Sequence, residues 1–486
     1  MRSTFCLKAL SVAIATFSVA STASAAGLDR SGQDITAFLQ DGTYAETVYT
    51  YIDADVTGKD TSGNKIDDIA EDYDFFRYGV KTDINETFSI GVLYDEPFGA
   101  AADYVGDSNF VAQGNLDNAI EIISNGKASG LADANDKIGK LSQGATQAGQ
   151  AAAQFAQQAQ NATSPEAAAE FAAKAKDAQN QALTLKGKAE SLGAAVASAQ
   201  VEKSTTGEGT NVEVRTENVT AILGAKLGTN KEFQIYGGPV AQQVQADVAL
   251  RGVAYGLANG YTAHISSDQD FGWLAGVSYS KPEIALKAAL TYRSEIEHNT
   301  NIGEQYPIVA ALDGNPNQAG TIEITTPKSV NFDFQTGINP TTLATAKVRW
   351  VPWGDFAIVP PLYNEVSKRA TGDDKGLALV SYDDDQWQVE LGLAKRLTPA
   401  LAVSGNIGWD SGAGNPVTSL GPIEGYYSAG LGAKYNVTDN WAISAGGKYL
   451  WFGDAEGQIP TKKVVSNFED NDGYIVGVKL SYQAAQ

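Results

Sequence analysis

The segment Tyr474-Ile475-Val476-Gly477-Val478-Lys479-Leu480-Ser481-Tyr482 alternates with a period of two. One face carries Tyr474, Val476, Val478, Leu480 and Tyr482; the other carries Gly477, Lys479 and Ser481. Successive side chains of a strand point to opposite faces, so this is a strand whose apolar face is bracketed by aromatics. Trp441 to Trp451 and Tyr427 to Tyr435 repeat the pattern, as do Phe271 to Tyr279, Ile284 to Tyr292, Ala344 to Trp350, Trp387 to Leu393 and Leu401 to Trp409. Such strands suit a transmembrane β-barrel, because lipid cannot satisfy backbone groups and the strands must pair in a closed ring. A soluble sandwich also alternates, so the connections have to decide.

Short turns fall at Asp83-Ile84-Asn85, Thr229-Asn230-Lys231, Lys281-Pro282, Asn339-Pro340, Thr398-Pro399 and Thr438-Asp439-Asn440. Between them lie longer polar loops near residues 58–68, 106–210, 300–318, 353–385, 411–424 and 453–472, with a short link at 255–261. Short turns at one end and long loops at the other are the habit of bacterial outer-membrane barrels. The spacing predicts about 14 strands, an even count that puts both termini in the periplasm. They run over roughly 44–57, 69–82, 87–105, 211–228, 232–254, 261–280, 283–298, 319–337, 342–352, 386–397, 400–410, 425–437, 440–452 and 473–483. The predicted class is all-β.

Residues 1–25 look like a secretory signal peptide: Arg2 and Lys8 precede an apolar stretch, and Ala23-Ser24-Ala25 is a small-x-small cleavage site. The chain's one cysteine, Cys6, lies inside that leader. A mature chain starting at Ala26 would have no disulfide, thiolate metal site or cysteine nucleophile. No mature segment offers the ~18 consecutive apolar residues of a transmembrane helix. The formal charge of −22 and the lack of a basic stripe argue against nucleic acid.

Residues 131–200 change character. Residues 141–200 hold 21 Ala and one Val. One heptad register runs from Leu131 through Ile138 and Ala148 to Ala159, and a second from Ala168 through Ala178 and Leu192 to Ala199. Between them, Ser164 as N-cap with Pro165 at the first helical position makes a helix start. The expectation is an antiparallel hairpin of two ~30-residue helices, roughly 45 Å long, inserted at 112–206 between the third and fourth strands on the outer side. A disordered low-complexity spacer is the alternative.

Two further segments carry a family likeness. Asp270-Phe271-Gly272-Trp273-Leu274-Ala275-Gly276, followed by Ala289-Leu290-Thr291-Tyr292-Arg293-Ser294-Glu295-Ile296, resembles the FadL-type outer-membrane transporters of long-chain fatty acids and other hydrophobic compounds. Ala26-Gly27-Leu28-Asp29-Arg30-Ser31-Gly32 is similar to a subgroup of that family, and so is Phe88-Ser89-Ile90-Gly91 running on to Pro97-Phe98-Gly99-Ala100. The resemblance implies a 14-stranded Gram-negative outer-membrane barrel plugged by an N-terminal hatch, here about residues 26–43, within a barrel of 44–486. It also implies a kink in the third strand that opens the wall sideways. This chain lacks the Asn-Pro-Ala tripeptide common after the family's hatch, its hatch is short, and it ends Gln483-Ala484-Ala485-Gln486 rather than on an aromatic.

Candidate ligand-lining residues are Leu28, Ile35, Phe38 and Leu39 of the hatch, with ordinary packing against the wall as the alternative. Pro97, Phe98, Gly99 and Ala100 form the candidate lateral gate, Phe98 also touching ligand; a mere bulge is the alternative. Arg251 could hold a carboxylate bidentately, or snorkel, or meet lipopolysaccharide. Lys287, Arg293, Lys347 and Arg349 face inward, to hydrate the lumen or pair with its carboxylates. His264 and His298 sit in no nucleophile motif, so no catalytic residue is expected. The acidic run 468–473 lacks EF-hand spacing, and no metal or cofactor is expected. The expected partners are a long-chain fatty acid or other hydrophobic small molecule, outer-membrane lipid and lipopolysaccharide, with the chain a monomer. A general porin and a surface adhesin working through the insertion are the rival functions.

Overall fold

The computed structural model describes residues 28–312 and 314–484; the leader with Cys6, Ala26, Gly27 and the final Ala485-Gln486 lie outside the described residues. Fourteen wall strands close into one antiparallel barrel. They are β1 (Tyr44–Asp55), β2 (Tyr73–Asp83), β3 (Phe88–Asp95 and Gly99–Asp103), β4 (Asn211–Leu227), β5 (Phe233–Ala249), β6 (Thr262–Lys281) and β7 (Leu286–Arg293 and Ile296–Gln305). The rest are β8 (Asn317–Thr326 and Ser329–Asn339), β9 (Thr342–Val351), β10 (Gln386–Arg396), β11 (Leu401–Asp410), β12 (Glu424–Asn436), β13 (Trp441–Gly453) and β14 (Asp472–Gln483). Each pairs with its sequence neighbours, and β1 closes on β14 from Tyr44↔Gln483 to Asp55↔Asp472, so the sheet closes on itself.

The alternation explains the closure. Val80, Ile90, Leu223, Leu393, Leu431 and Val478 point outward and are exposed, while Ser404, Ser428, Ser444, Lys448 and Lys479 point inward and are buried. An apolar exterior over a polar interior inverts a soluble protein and matches a wall that faces lipid. Aromatics ring the belt at both ends: Phe76, Trp387, Tyr427 and Trp451 towards the long loops, Phe233, Tyr435 and Trp441 towards the short turns.

β7 and β8 are taller than their apolar pattern suggests. β7 continues to Gln305 and β8 begins at Asn317, pairing from Ile296↔Thr326 to Gln305↔Asn317. Glu297-His298-Asn299-Thr300-Asn301 has no apolar face because this part stands above the aromatic ring, where lipid no longer demands one. The long loops also carry order of their own. Gly58–Asp60, Lys65–Ile66, Val417–Thr418, Ala455–Gln458 and Val464–Phe468 form a five-stranded sheet over the barrel mouth.

The insertion is helical: α1 (Leu116–Ile123), α2 (Leu131–Gln160) and α3 (Pro165–Ser204). Ser164 caps α3, its hydroxyl accepting from the Ala167 N–H at 3.2 Å. α3 is 40 residues long, a full 10 longer than α2. Its extra length roots the hairpin: Leu192, Val196 and Ala199 pack with Ile120 of α1 and Val253 of the β5–β6 link. The buried Glu202 carboxylate accepts from the Gln113 N–H and the Asn259 amide, each at 2.8 Å, and its burial raises its pKa. α4 (Pro361–Thr371) lies in the β9–β10 loop, its first N–H groups, of Leu362 and Tyr363, donating to Glu304 of β7 at 2.9 and 3.0 Å.

Candidate functional site

Pro has no N–H to give a ladder, and at Pro97 the wall gives way. Both pieces of β3 pair with β4, from Phe88↔Ala225 to Asp95↔Asn218 and again from Gly99↔Arg215 to Asp103↔Asn211. Glu96, Pro97 and Phe98 thus face only Thr216 and Glu217, which makes a bulge. On the other side the β2–β3 ladder stops at Tyr78↔Tyr94, and contact resumes only at the isolated bridge Ala70↔Ala102. Residues 73–77 of β2 are paired to β1 alone, so the break lies between β2 and β3. Ala100 belongs to the resumed strand, opposite Val214.

The chain's own N-terminal segment fills that break. The Pro97 carbonyl accepts from the N–H groups of Arg30 (2.7 Å) and Ser31 (3.3 Å), and Gly99 N–H donates to Leu28 O at 2.7 Å. The Thr216 hydroxyl accepts from Phe98 N–H at 2.8 Å and donates to Phe98 O at 2.7 Å. The Arg30 guanidinium lies 3.3 Å over the Tyr73 ring, and its Nη1, although buried, has no hydrogen-bond partner. Burial lowers the pKa of Arg30, with Tyr73 and Glu96 acting against it. A Cβ on Gly99 would stand 2.6 Å from that Nη1, so only glycine leaves the guanidinium its place.

Inside the barrel the same segment is tied down by charge. Asp29 takes a bidentate pair from Arg349, Nε at 2.6 Å and Nη2 at 3.0 Å. Gln33 Oε1 accepts from Ser329 and Arg349, and Ser31 donates to Asp95 at 2.8 Å. Burial pushes the Asp34 carboxyl up, but Lys347 (3.0 Å) and Arg77 (3.6 Å) outweigh it and hold it below the usual range. Lys287 donates to the Leu39 carbonyl. Of the four cations expected from sequence to face inward, Lys347 and Arg349 therefore hold carboxylates of this segment; Arg293 donates to Thr220 at 3.2 Å.

The lining residues divide into two groups. Ile35, Phe38 and Leu39 are buried with Leu93, Ile222, Tyr236 and Ala289 in the lower lumen, where Gly91 and Gly224 make room for the Phe38 ring. Leu28 and Phe98 belong to an upper aromatic vault instead. Phe98 meets Trp353 edge-on at 5.5 Å, and Trp353 meets Phe356 and Tyr382 at 5.2 and 5.5 Å. Tyr261, Tyr306 and Tyr363 continue the vault beneath α4. Arg251 lies apart from both groups. Its guanidinium binds Glu208 at 2.7 Å, the Leu250 and Tyr261 carbonyls and the Thr262 hydroxyl.

No protein-family model matches this sequence, and no curated protein does. Solved structures do match. A FadL homologue from Pseudomonas aeruginosa superimposes over 96% of this chain and 97% of its own, at 12% identity and a TM-score of 0.58. The chain has the FadL-type fold. Two toluene transporters share it, TodX of P. putida at 10% identity and TbuX of Ralstonia pickettii at 9%, each with a TM-score of 0.51 and covering 93% of this chain and 92% of their own.

Within this FadL-type barrel, sequence reasoning missed Asp29, Arg30, Thr216, Trp353 and Glu304. The charged pair Asp29-Arg30, standing in an otherwise small and polar run before the first strand, was the available signal for two of them. His264 makes an exposed pair with Asp247 at 2.6 Å, while His298 is fully buried in the wall. Among the described residues, no three His, Cys, Asp or Glu side chains are grouped to hold a metal.

Proposed function

We propose that this chain carries long-chain fatty acids or similarly hydrophobic small molecules across a Gram-negative outer membrane. The observation that carries this reading is the N-terminal segment standing at the β2–β3 break, its backbone bonded to Pro97 and Gly99 of β3 and its Arg30 lying over Tyr73 of β2. A wall left unpaired beside lipid is costly unless it serves something. Here the seal is a separate piece of chain, so moving that piece opens the wall sideways. Ligand enters from the loop side, is held by the aromatic vault around Leu28, Phe98 and Trp353 and by the plug residues Ile35, Phe38 and Leu39, and leaves past Pro97-Phe98-Gly99-Ala100 into the bilayer. The unpartnered Nη1 of Arg30 is placed for an anionic head at that exit. The fold shared with two toluene transporters supports a hydrophobic cargo. A porin would need a wide aqueous lumen, whereas this one is filled by the plug and the vault.

The test straightens β3. Replacing Pro97 with Val and deleting one residue of the 96–98 bulge gives a continuous ladder. At equal surface amount, uptake of a radiolabelled fatty acid should be lost while the barrel still assembles. Unchanged uptake would remove the lateral route.

A further inference from the structure

The wall has a second interruption. The β6–β7 ladder runs from Leu286↔Lys281 to Arg293↔Leu274 and then carries no pair until Ile302↔Ile265. One further backbone bond, Ser294 N–H to Trp273 O at 2.9 Å, extends the lower ladder, and residues 266–272 and 295–301 then lie side by side without paired positions. Each strand also changes face there. In β6, Ile265 is buried but Ser267 and Gln269 are exposed; in β7, Arg293 and Ile296 are both buried, three positions apart. Two one-residue irregularities thus frame the seam, and they cancel, so the register beyond is kept. It begins at Trp273, which packs with Tyr292 in the outer aromatic ring at 5.2 Å, and rises above it.

Side chains, with that one backbone bond, close this seam in place of a plug. Ser294 Oγ accepts from Trp273 N–H at 3.0 Å, and Thr300 Oγ1 donates to Ser266 O at 2.8 Å. Ile296 fills the slot left by Gly272, where a Cβ would stand 2.6 Å from Ile296 Cγ1. A polar track crosses the wall at this height. His298 Nδ1 faces the partly exposed Asp268 at 3.4 Å, His298 Nε2 meets Gln242 Oε1 at 3.1 Å, and Gln242 Nε2 donates to Asn218 Oδ1 at 2.9 Å. The track ends in the lumen on two buried atoms without partners, Asn218 Nδ2 and Asp95 Oδ1. Asn218 and Asp95 are register neighbours on β4 and β3.

Buried orphan groups of this kind cost free energy until something satisfies them. One is a donor and the other an acceptor, and a hydroxyl answers both at once: it accepts from Asn218 and donates to Asp95. A carboxylate cannot donate to Asp95, and the mouth of the seam carries Asp268, Asp270 and Glu297, which repel anions. We propose that the β6–β7 seam is a second side passage, taken by hydrophobic molecules with an uncharged hydroxyl head, whose head follows Asp268, His298 and Gln242 to the Asn218–Asp95 site. This rests on the transport reading above but uses another part of the wall.

The test locks the seam in the full-length protein. Gly272→Cys with Ile296→Cys places two thiols across it, and the only other cysteine is Cys6. Cells expressing this variant are given radiolabelled dodecanol or dodecanoate, oxidised and after reduction. Oxidation should abolish dodecanol uptake, reduction should restore it, and dodecanoate uptake should not change. In a second variant, Asn218→Ala, the purified protein should bind dodecanol about tenfold more weakly, the worth of one buried hydrogen bond, and dodecanoate as before. Dodecanol uptake that survives the locked seam, or Asn218→Ala binding that is unchanged, overturns the proposal, and so does an equal loss of both compounds. If the unaltered chain takes up neither, the transport reading itself fails, and this failure is distinct from a fault in the seam.

Discussion

The barrel wall has two long interruptions, and they are closed by different means. At β3 the filling is main chain: Leu28 to Ser31 donate to and accept from Pro97 and Gly99, and Asp29 anchors that segment to Arg349 across the lumen. At the β6–β7 seam the filling is mostly side chain, Ser294, Thr300 and Ile296 standing in for lost ladder bonds beyond the one backbone bond from Ser294 to Trp273. Opening the first requires a whole segment to leave an ionic mooring. Parting the second would break the Ser294–Trp273 backbone bond and two side-chain bonds, with no separate segment to displace. The difference teaches that a single closed sheet can mend one gap with main chain and ionic moorings and another mainly with side chains.

The sharpest way to break this comparison is Arg349→Met. It strands a buried Asp29 carboxylate, and removing one partner of a buried pair costs about 3–5 kcal/mol. The N-terminal segment should be cleaved before residue 44 much faster in limited proteolysis, while amide exchange at residues 296–300 stays as it was. Exchange that rises equally at both places would mean the two openings are one unit.

Thr216→Val should come next. It keeps the shape and deletes both hydroxyl bonds to Phe98, at about 1–3 kcal/mol. Exchange at the Phe98 amide should quicken, with the seam again unmoved. Gly272→Ala tests the lighter closure. Its Cβ must push on Ile296, so about 1 kcal/mol of stability should be lost, and adding Ile296→Val should recover most of it in a double-mutant cycle. If Gly272→Ala costs nothing, the seam is not packed shut.

The smallest effect should come from deleting residues 112–206. The hairpin roots on α1 and the β5–β6 link rather than on either interruption. The shortened chain should assemble as a heat-modifiable barrel, with exchange at Phe98 and His298 within error of the full chain. Failure to assemble would make the insertion part of the wall.

Much of this was legible in the residues. The aromatic-bracketed strands, the turns at Asp83-Ile84-Asn85 and Lys281-Pro282 and the Ser164-Pro165 helix start all sit where local pattern puts them, because lipid contact and capping act on neighbours in sequence. The upper part of β7, beyond residue 298, was not legible, since above the aromatic ring neither face is apolar and the period-2 signal fades. The five-stranded sheet over the mouth was hidden for another reason. Its strands are two to five residues long and drawn from loops near residues 60, 418 and 460, so no single segment announces it.

The candidate site divides along the same line. Pro97 marked a break in the wall by itself, because a missing N–H is a property of one residue. That Arg30 occupies the break, that Asp29 meets Arg349 and that Phe98 packs on Trp353 are pairings across 69, 320 and 255 positions of chain (99 − 30, 349 − 29 and 353 − 98). Nothing local selects such partners. Closing the sheet brings inward-facing residues together across a lumen, and closure is decided by register around the whole ring. The sequence by itself determined which residues face lipid and that the wall breaks at Pro97; the tertiary structure decided where the second seam lies and what stands in each gap, because only there do distant side chains compete for the same buried space.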